Sequence, residues 1–301
     1  SKASDMTTEQ FYAELRFPVI ATPKYDGIRC VTMDLPAPPG HQSLAFTRSL
    51  KQIPNHHVSN ILGRDCVPGL DGEIMTYEGG LFDSGKMRNF NNIQSDIMTM
   101  RGTPNWKYLV FDCRIFENLV YAKRLNALEK MSLPACCEKV PTTHIANLNA
   151  LLEYEADAVA RGFEGICFRD PNSPYKHGRS TLRQGYLIKM KRFVTEEAVV
   201  IGMEEEMANN NPQVLGTTGY AERSSHSAQM VGKGRMGALI CRNKLGEFKV
   251  GTGFTHTQRQ NIWDTQVTVI GRTITFKHQP HGSKDLPRIP VFVGFRSLLD
   301  L

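Results

Sequence analysis

Apolar residues along this chain come in two rhythms. Compact or alternating runs of strand length stand at Val19–Ala21, Tyr108–Phe116, Gly165–Arg169 and Tyr186–Lys191. Helical spacing appears near the start, where Phe11, Leu15 and Tyr12 supply one face, Thr7 or Thr8 a cap, and Pro18 follows the end. It returns at Leu148, Leu151, Leu152, Glu155, Ala156 and Val159, with Gly162 placed to stop the helix. Strands and helices do not alternate regularly, so a mixed α+β sheet is expected over residues 1–192 rather than a doubly wound one. Beyond Arg192 the pattern turns all-β. Four strands are predicted at Ala198–Met203, Gly237–Arg242, Glu247–Gly251 and Val267–Lys277, with a hairpin-like turn at Asn243–Gly246. Residues 193–301 therefore read as a second domain, a small barrel or sandwich. The polar stretch 204–235, with Asn209-Asn210-Asn211 inside it, reads as a long loop that is solvated when the protein is free.

Composition narrows the field. A chain of 301 residues with 41% hydrophobic and 22% charged residues has material for two modest cores and is not a disordered composition. No stretch nears the roughly 20 apolar residues of a membrane span, and no charged-then-apolar leader opens it, so a soluble cytoplasmic protein is expected. Seven cysteines, at 30, 66, 113, 136, 137, 167 and 241, form no CxxC pair, although Cys136 and Cys137 are adjacent. A disulfide scaffold and a zinc ribbon are both poorly supported, no soft-metal cluster stands out, and the nine histidines are scattered. Thirty-six basic against thirty acidic residues give a net charge of +6. Six Lys or Arg and no acid fall between Pro171 and Thr195, which suits a polyanionic partner.

The sharpest chemical signal is Lys24-Tyr25-Asp26-Gly27-Ile28-Arg29, directly after the first apolar run. A lysine attacks well only when neutral, so it needs neighbours that lower its pKa or take its proton. Arg29 is placed to lend positive charge, and Gly27 to let the backbone approach a ligand. A surface lysine before an Asp-Gly turn would read the same way. Leu70-Asp71-Gly72-Glu73-Ile74 and Gly162-Phe163-Glu164-Gly165-Ile166 each set an acid beside a glycine at a strand edge. Lys189-Met190-Lys191 alternates basic residues on one strand face, as a solvated edge strand also would.

In order and spacing, these pieces resemble the motifs of the covalent nucleotidyltransferases: Lys-x-Asp-Gly-x-Arg, Asp-Gly-Glu, an aromatic strand (here Phe111-Asp112), Glu-Gly and Lys-x-Lys. Ala21-Thr22-Pro23-Lys24, Phe46-Thr47-Arg48, His177-Gly178-Arg179-Ser180-Thr181-Leu182 and Gly282-Ser283-Lys284-Asp285 through Arg296 bring the resemblance to the small ATP-dependent DNA ligases. It runs from about residue 17 to the C-terminus. It implies an α+β nucleotidyltransferase domain with mixed and antiparallel sheets, then an oligonucleotide-binding (OB) barrel whose insert at about 204–235 is a DNA-clasping latch, expected to be a floppy loop in the free protein and to order only around DNA. Within the insert, Gly219-Tyr220-Ala221-Glu222-Arg223-Ser224 keeps the local pattern.

The resemblance also implies roles. Lys24 attacks the α-phosphate of ATP to form lysyl-AMP, with Thr22 lining the nucleotide pocket. AMP then passes to the 5′-phosphate of a nick, and the 3′-hydroxyl displaces it. Glu73 holds the ribose hydroxyls and Phe111 stacks on adenine. Glu164, with Glu73, serves Mg2+, an ion that takes oxygen ligands. Lys189 and Lys191 steady the α-phosphate while Arg29 and Arg48 grip the nick phosphate. Asp26 is either a metal-linked contact or a turn-former. Arg288 and Arg296 belong to a C-terminal motif that closes over pyrophosphate; it carries Asp300 but ends in Leu301 where relatives commonly have a basic residue. Lys176, Arg179, Arg183 and Arg223 are expected on nicked duplex DNA, and a monomer is expected, with a viral source and a host-cytoplasm setting favoured by the small size. An RNA ligase, a capping guanylyltransferase and a catalytically silent OB-fold module remain alternatives. An NAD-dependent ligase does not suit a chain without room for a nicotinamide domain and without zinc-finger cysteines.

Overall fold

The strand-length runs of the first unit fold into two sheets, and the computed structural model describes residues 8–79, 85–216, 221–279 and 286–296. Its two compact units are residues 1–191 and 192–301. In the first unit, β1 (Val19–Pro23) lies inside a sheet of order β7-β1-β8-β9, with β7 (Thr143–Ile145), β8 (Gly165–Arg169) and β9 (Ile188–Lys191), every pair antiparallel. All five β1 residues are buried, as a central apolar strand requires. The second sheet has the order β3-β2-β4-β5-β6: β2 (Ile28–Met33), β3 (Leu44–Thr47), β4 (Leu70–Thr76), β5 (Trp106–Cys113) and β6 (Cys137–Lys139). In this second sheet β5 and β6 pair in parallel and the other pairs are antiparallel, so the unit combines one antiparallel and one mixed sheet, as the sequence predicts.

Five helices flank them: α1 (Thr8–Ala13), α2 (His56–Asp65), α3 (Phe90–Met98), α4 (Tyr121–Lys130) and α5 (Leu148–Ala160). The α5 side chain Asn147 accepts the Ala150 N–H at 3.0 Å, an N-cap, while Leu151 and Ala158 go into the core. Gly162, at φ 89°, follows its end. Some boundaries shift. The run Tyr108–Phe116 ends as strand at Cys113 and continues as a 3-10 turn, Arg114–Phe116, while β9 begins at Ile188 rather than Tyr186. Of the expected N-terminal caps, Thr7 lies outside the described residues. Cys66, the C-cap of α2, comes to lie beside Cys136 and Cys137 at β6. Three cysteines thus meet where linear spacing showed no cluster.

The second unit is a five-stranded barrel of order β14-β13-β10-β15-β16, built from β10 (Val194–Asn209), β13 (Met230–Asn243), β14 (Gly246–Val250), β15 (Thr273–Gln279) and β16 (Arg288–Phe295). A parallel bridge between Thr252 and Val291 joins the two ends of the sheet, with the Phe292 N–H donating to Thr252 O at 2.9 Å. Such closure removes exposed edges. Met236, Leu239, Val250, Ile274 and Phe276 fill its interior. Two expectations change. The run Val267–Lys277 splits into α7 (Gln266–Val269) and β15, because Gly271 turns the chain at φ 89° between them. Between β14 and α7 the chain also forms α6 (His256–Asp264), held by a capping box between Thr255 and Gln258.

The 204–235 stretch differs most from its sequence reading. It is largely a ribbon: the outer half of β10 pairs with β13 from Asn209↔Met230 inward, and β11 (Gln213–Leu215) pairs with β12 (Ala221–Arg223) at its tip. Polar composition here does not mean an unstructured loop, because a two-stranded ribbon satisfies its backbone across the pair while solvent bathes both faces. The asparagines build its corner. Asn211 is 5% exposed and its Nδ2 donates to Asn209 Oδ1, Ser224 O and His226 O.

Candidate active site

Backbone register assembles the lysines and the acid before any side chain is considered. At the end of β1 the Lys24 N–H donates to Gly165 O at 2.9 Å, and the Glu164 N–H donates to Lys24 O at 3.2 Å. Across the next pair, Gly165 faces Lys191 and Cys167 faces Lys189. Gly165 takes φ 147°, and a Cβ there would fall 2.2 Å from Met190 O, so only glycine lets β8 and β9 approach this closely. Glu164 then accepts the Lys24 Nζ on one carboxylate oxygen and the Lys191 Nζ on the other. Its side chain is 4% exposed and that of Lys24 12%.

These charges set one another's proton affinity. For Lys24, burial favours the neutral amine, but the Glu164 hydrogen bond and charge outweigh it and raise the pKa above the ordinary lysine value. Glu164 is the converse: burial opposes ionisation, and the hydrogen bonds from Lys191 and Lys24 hold its carboxyl below the usual range. Lys189 is lowered, first by partial desolvation, with the Lys24 charge adding to it. Resting Lys24 is therefore a protonated ammonium parked on a carboxylate.

Glu73 enters from the other sheet, opposite Arg29 in the β2–β4 register. Its Oε1 accepts the Gly27 N–H at 2.9 Å, and burial pushes its pKa up. A Cβ on Gly27 would lie 2.5 Å from Ile74 O, so this glycine serves the close passage of β4 rather than the approach of a ligand. Arg29 forms a two-pronged pair with Asp71, 3.0 and 2.7 Å, and the Tyr175 hydroxyl donates to the same carboxylate at 2.7 Å. Its charge also reaches Lys189, whose pKa it helps to lower. Asp26 is half-buried in the β1–β2 connection, and Thr22 is buried on β1 facing Cys167.

Phe111 is half-buried on β5, with the Arg169 guanidinium 5.6 Å from its ring centroid. Arg169 was absent from the sequence reading, as were the roles of Asp112 and Arg124. Asp112 is fully buried and receives Arg169 from β8 together with a fork from Arg124, 2.8 and 3.1 Å. One carboxylate thus fastens the two sheets. Arg29, Asp71, Asp112, Arg169, Tyr175 and Lys176 line a polar cavity. The signal was available: a charged residue closing an apolar strand run, as in Val-Phe-Asp-Cys or Ile-Cys-Phe-Arg, implies a buried partner.

The remaining basic residues stand farther apart. Arg48 is exposed in the turn after β3, which the Thr47 N–H closes on Lys51 O at 2.8 Å. Arg179 and Arg183 are exposed, while Lys176 donates to Gln184 Oε1 at 2.6 Å. In the second unit Arg223 binds Asn211 O and Gln213 Oε1 within the ribbon, Arg288 begins β16, and Arg296 pairs with Glu197 at 2.6 Å. Residues 282–285, Gly219, Tyr220, Asp300 and Leu301 lie outside the described residues.

Comparison with known proteins gives the family and the fold. A family model described as the ATP dependent DNA ligase domain matches residues 2–191, and one for a DNA ligase OB-like domain matches 229–296. A DNA ligase of Haemophilus influenzae is 26% identical over 227 residues, spanning 71% of this chain and 69% of that one. The crystal structure of chlorella virus DNA ligase-adenylate aligns over 97% of this chain and 96% of its own, at 28% identity and a TM-score of 0.50. A Lig E DNA ligase structure, at 22% identity, shares the fold over 97% of this chain and 95% of its own with a TM-score of 0.66. With the catalytic-domain match covering well over half of its length, this chain belongs to the ATP-dependent DNA ligase family.

Proposed function

We propose that this ligase seals 3′-hydroxyl/5′-phosphate nicks in duplex DNA with Lys24 as the nucleophile that carries AMP. The observation that carries the assignment is the Lys24–Glu164–Lys191 triad, in which a buried acid holds two partly exposed lysines in one cleft. Before it attacks, Lys24 gives up both its proton and its carboxylate partner. Substrate phosphate competes for the ammonium, and Lys189 and Lys191 supply positive charge where negative charge grows on the α-phosphate.

Glu164 fits the role of Mg2+ acid on its donor chemistry, since it is a carboxylate kept ionised in a buried place. There the ion would offset phosphate charge during transfer. Glu73 suits the metal less, because burial favours its protonated form; a carboxyl fixed by the Gly27 N–H is better placed to hold ribose hydroxyls. Phe111 remains the proposed adenine platform, with Thr22 beside the nucleotide and Arg288 and Arg296 for pyrophosphate. Asp26 retains both of its readings. Arg29, oriented by Asp71, together with Arg48 binds the nick phosphate. Lys176, Arg179, Arg183 and Arg223 give salt-sensitive, sequence-independent backbone contacts. A monomer and an intracellular setting complete the proposal; every cysteine among the described residues is a free thiol. None of the helices in those residues is long and apolar enough to cross a membrane.

The test is covalent labelling with α-labelled ATP, GTP or NAD and Mg2+, read on a denaturing gel after stripping prebound AMP with pyrophosphate. Label from ATP, lost in Lys24→Ala, with sealing of a nicked DNA duplex, is the expected result. Label from GTP would move the assignment to capping, and preferential sealing of RNA ends to an RNA ligase. No label at all would leave a silent binding module.

A further inference from the structure

We propose that Cys66, Cys136 and Cys137 form a three-thiolate site for a thiophilic dication, with Zn2+ the natural occupant. Their three sulfur atoms lie within 4.8 Å of one another, with Cys66 Sγ 3.4 Å and Cys136 Sγ 3.8 Å from Cys137 Sγ. Zinc bonds thiolate sulfur at about 2.3 Å, so the edge of a tetrahedral site is about 3.8 Å, close to these separations. The site lies in the sheet of β2 to β6, away from the lysine cluster, and no part of the proposed ligation chemistry uses it.

The three ligands come from two stretches, Cys66 and the adjacent pair Cys136-Cys137, whose backbones are already fixed. The Cys66 N–H caps α2 on Leu62 O at 3.0 Å, and its carbonyl accepts Ser43 Oγ at 2.9 Å. The carbonyl of Cys136 accepts the Tyr108 N–H of β5 at 2.8 Å, and the Cys137 N–H donates to Pro134 O at 2.8 Å. An ion would meet a preformed set rather than gather one, which lowers the cost of binding. Cys66 and Cys136 are buried while Cys137 is half-buried, so the cluster meets solvent on the Cys137 side, where a water would have to supply any fourth ligand. Three soft sulfur donors select zinc-like ions over the hard Mg2+ of the ligation reaction.

The consequence is a clip. β6 is a three-residue edge strand, held in the sheet by its parallel pairing with β5. A metal shared with Cys66 would tie that edge to α2 and brace β5, the strand that presents Phe111.

The test uses the full chain, reduced and stripped of metal, titrated with Cd2+ while thiolate-to-metal charge-transfer absorption is followed, and then challenged with Zn2+. One equivalent per chain, with the intensity of three thiolates and displacement by Zn2+, is expected. Cys137→Ser, the least buried substitution, should weaken binding by at least the roughly 10- to 100-fold that loss of a mere outer-shell partner costs. Cys241→Ser, in the other unit, should bind as the parent does. Because a serine in the core of this unit can impair folding, a second readout uses the unmodified chain: Zn2+ should slow alkylation of Cys66, Cys136 and Cys137 but not of Cys241. Absence of a saturable one-equivalent band, a band unchanged in Cys137→Ser, or alkylation indifferent to zinc would each overturn the site and leave three packed core thiols.

Discussion

Glu164 and Glu206 each stand, as Asp112 also does, between two basic side chains, and these two differ chiefly in their access to water. Glu164 receives Lys24 and Lys191 with its side chain 4% exposed, whereas Glu206, on the ribbon, receives Lys233 and Arg235 with 25% exposed. Both carboxyls are held low. For Glu206 the Arg235 and Lys233 hydrogen bonds bring it to about 2. For Glu164 the same kind of bonding must first overcome burial. On the ribbon, solvent can replace either partner, so the triad adds a little stiffness to two strands. In the cleft, each cation that leaves must be replaced by another charge, and under the proposed function that constraint makes the salt bridge the place where proton, phosphate and metal exchange.

The largest effect expected from breaking this contrast follows Glu164→Gln. Lysine adenylylation should fall by about two to three orders of magnitude, the range for losing one preorganised charge-stabilising group. Glu164 raises the Lys24 pKa, so its removal lowers that pKa. The alkaline rise in the rate–pH profile should then move to lower pH, although the rate itself is smaller. Single-turnover labelling across a pH series reads both. A shift to higher pH would sink the triad assignment.

Next comes Asp112→Ala, which strands Arg124, a guanidinium 1% exposed, without its carboxylate. Loss of a buried partner costs about 3–5 kcal/mol, visible as a lower denaturant midpoint. Removing the ribbon tip, residues 213–223, should weaken nick binding and sealing several-fold while self-adenylylation persists. Gel shift beside labelling separates the two, and equal loss of both would count against a clasp. The smallest effect belongs to Glu206→Gln, no more than about 1 kcal/mol and less in high salt. A carboxyl with a depressed pKa stabilises above its unfolded range and ceases to do so as pH falls through the folded value. The difference between Glu206→Gln and parent should therefore vanish as pH falls through about 2.

Sequence reached the lysine–glutamate cluster proposed as catalytic because its members sit at strand ends beside glycines, where local chemistry leaves a visible mark. Lys24, Glu164, Lys189 and Lys191 could be proposed from four separate fragments, and register then brought them together. Partners held by tertiary contact were less legible. Arg169 and Asp112 are 57 residues apart, and nothing local to either names the other. Arg29 shows its closeness to Lys24 within the fragment but not its carboxylate partner, Asp71, on the neighbouring strand. In the barrel, alternation located strand centres but not the ribbon, whose polar residues hide a strand exposed on both faces. The cysteine cluster was invisible because Cys66 and Cys137 are joined only by the fold.

The crossed backbone bonds between Lys24 and the Glu164-Gly165 pair bear on speed as well as position. Because the main chains are locked, parking and release of Lys24, the proposed nucleophile, is a change of side-chain torsions alone. Such flips take picoseconds to nanoseconds in open side chains, against turnovers of about 10 per second for typical enzymes. Even a buried lysine slowed a thousandfold would rearrange long before one catalytic cycle ends. The amine can therefore be treated as equilibrated between its carboxylate and the bound nucleotide, and its contribution to the rate is a population rather than a motion.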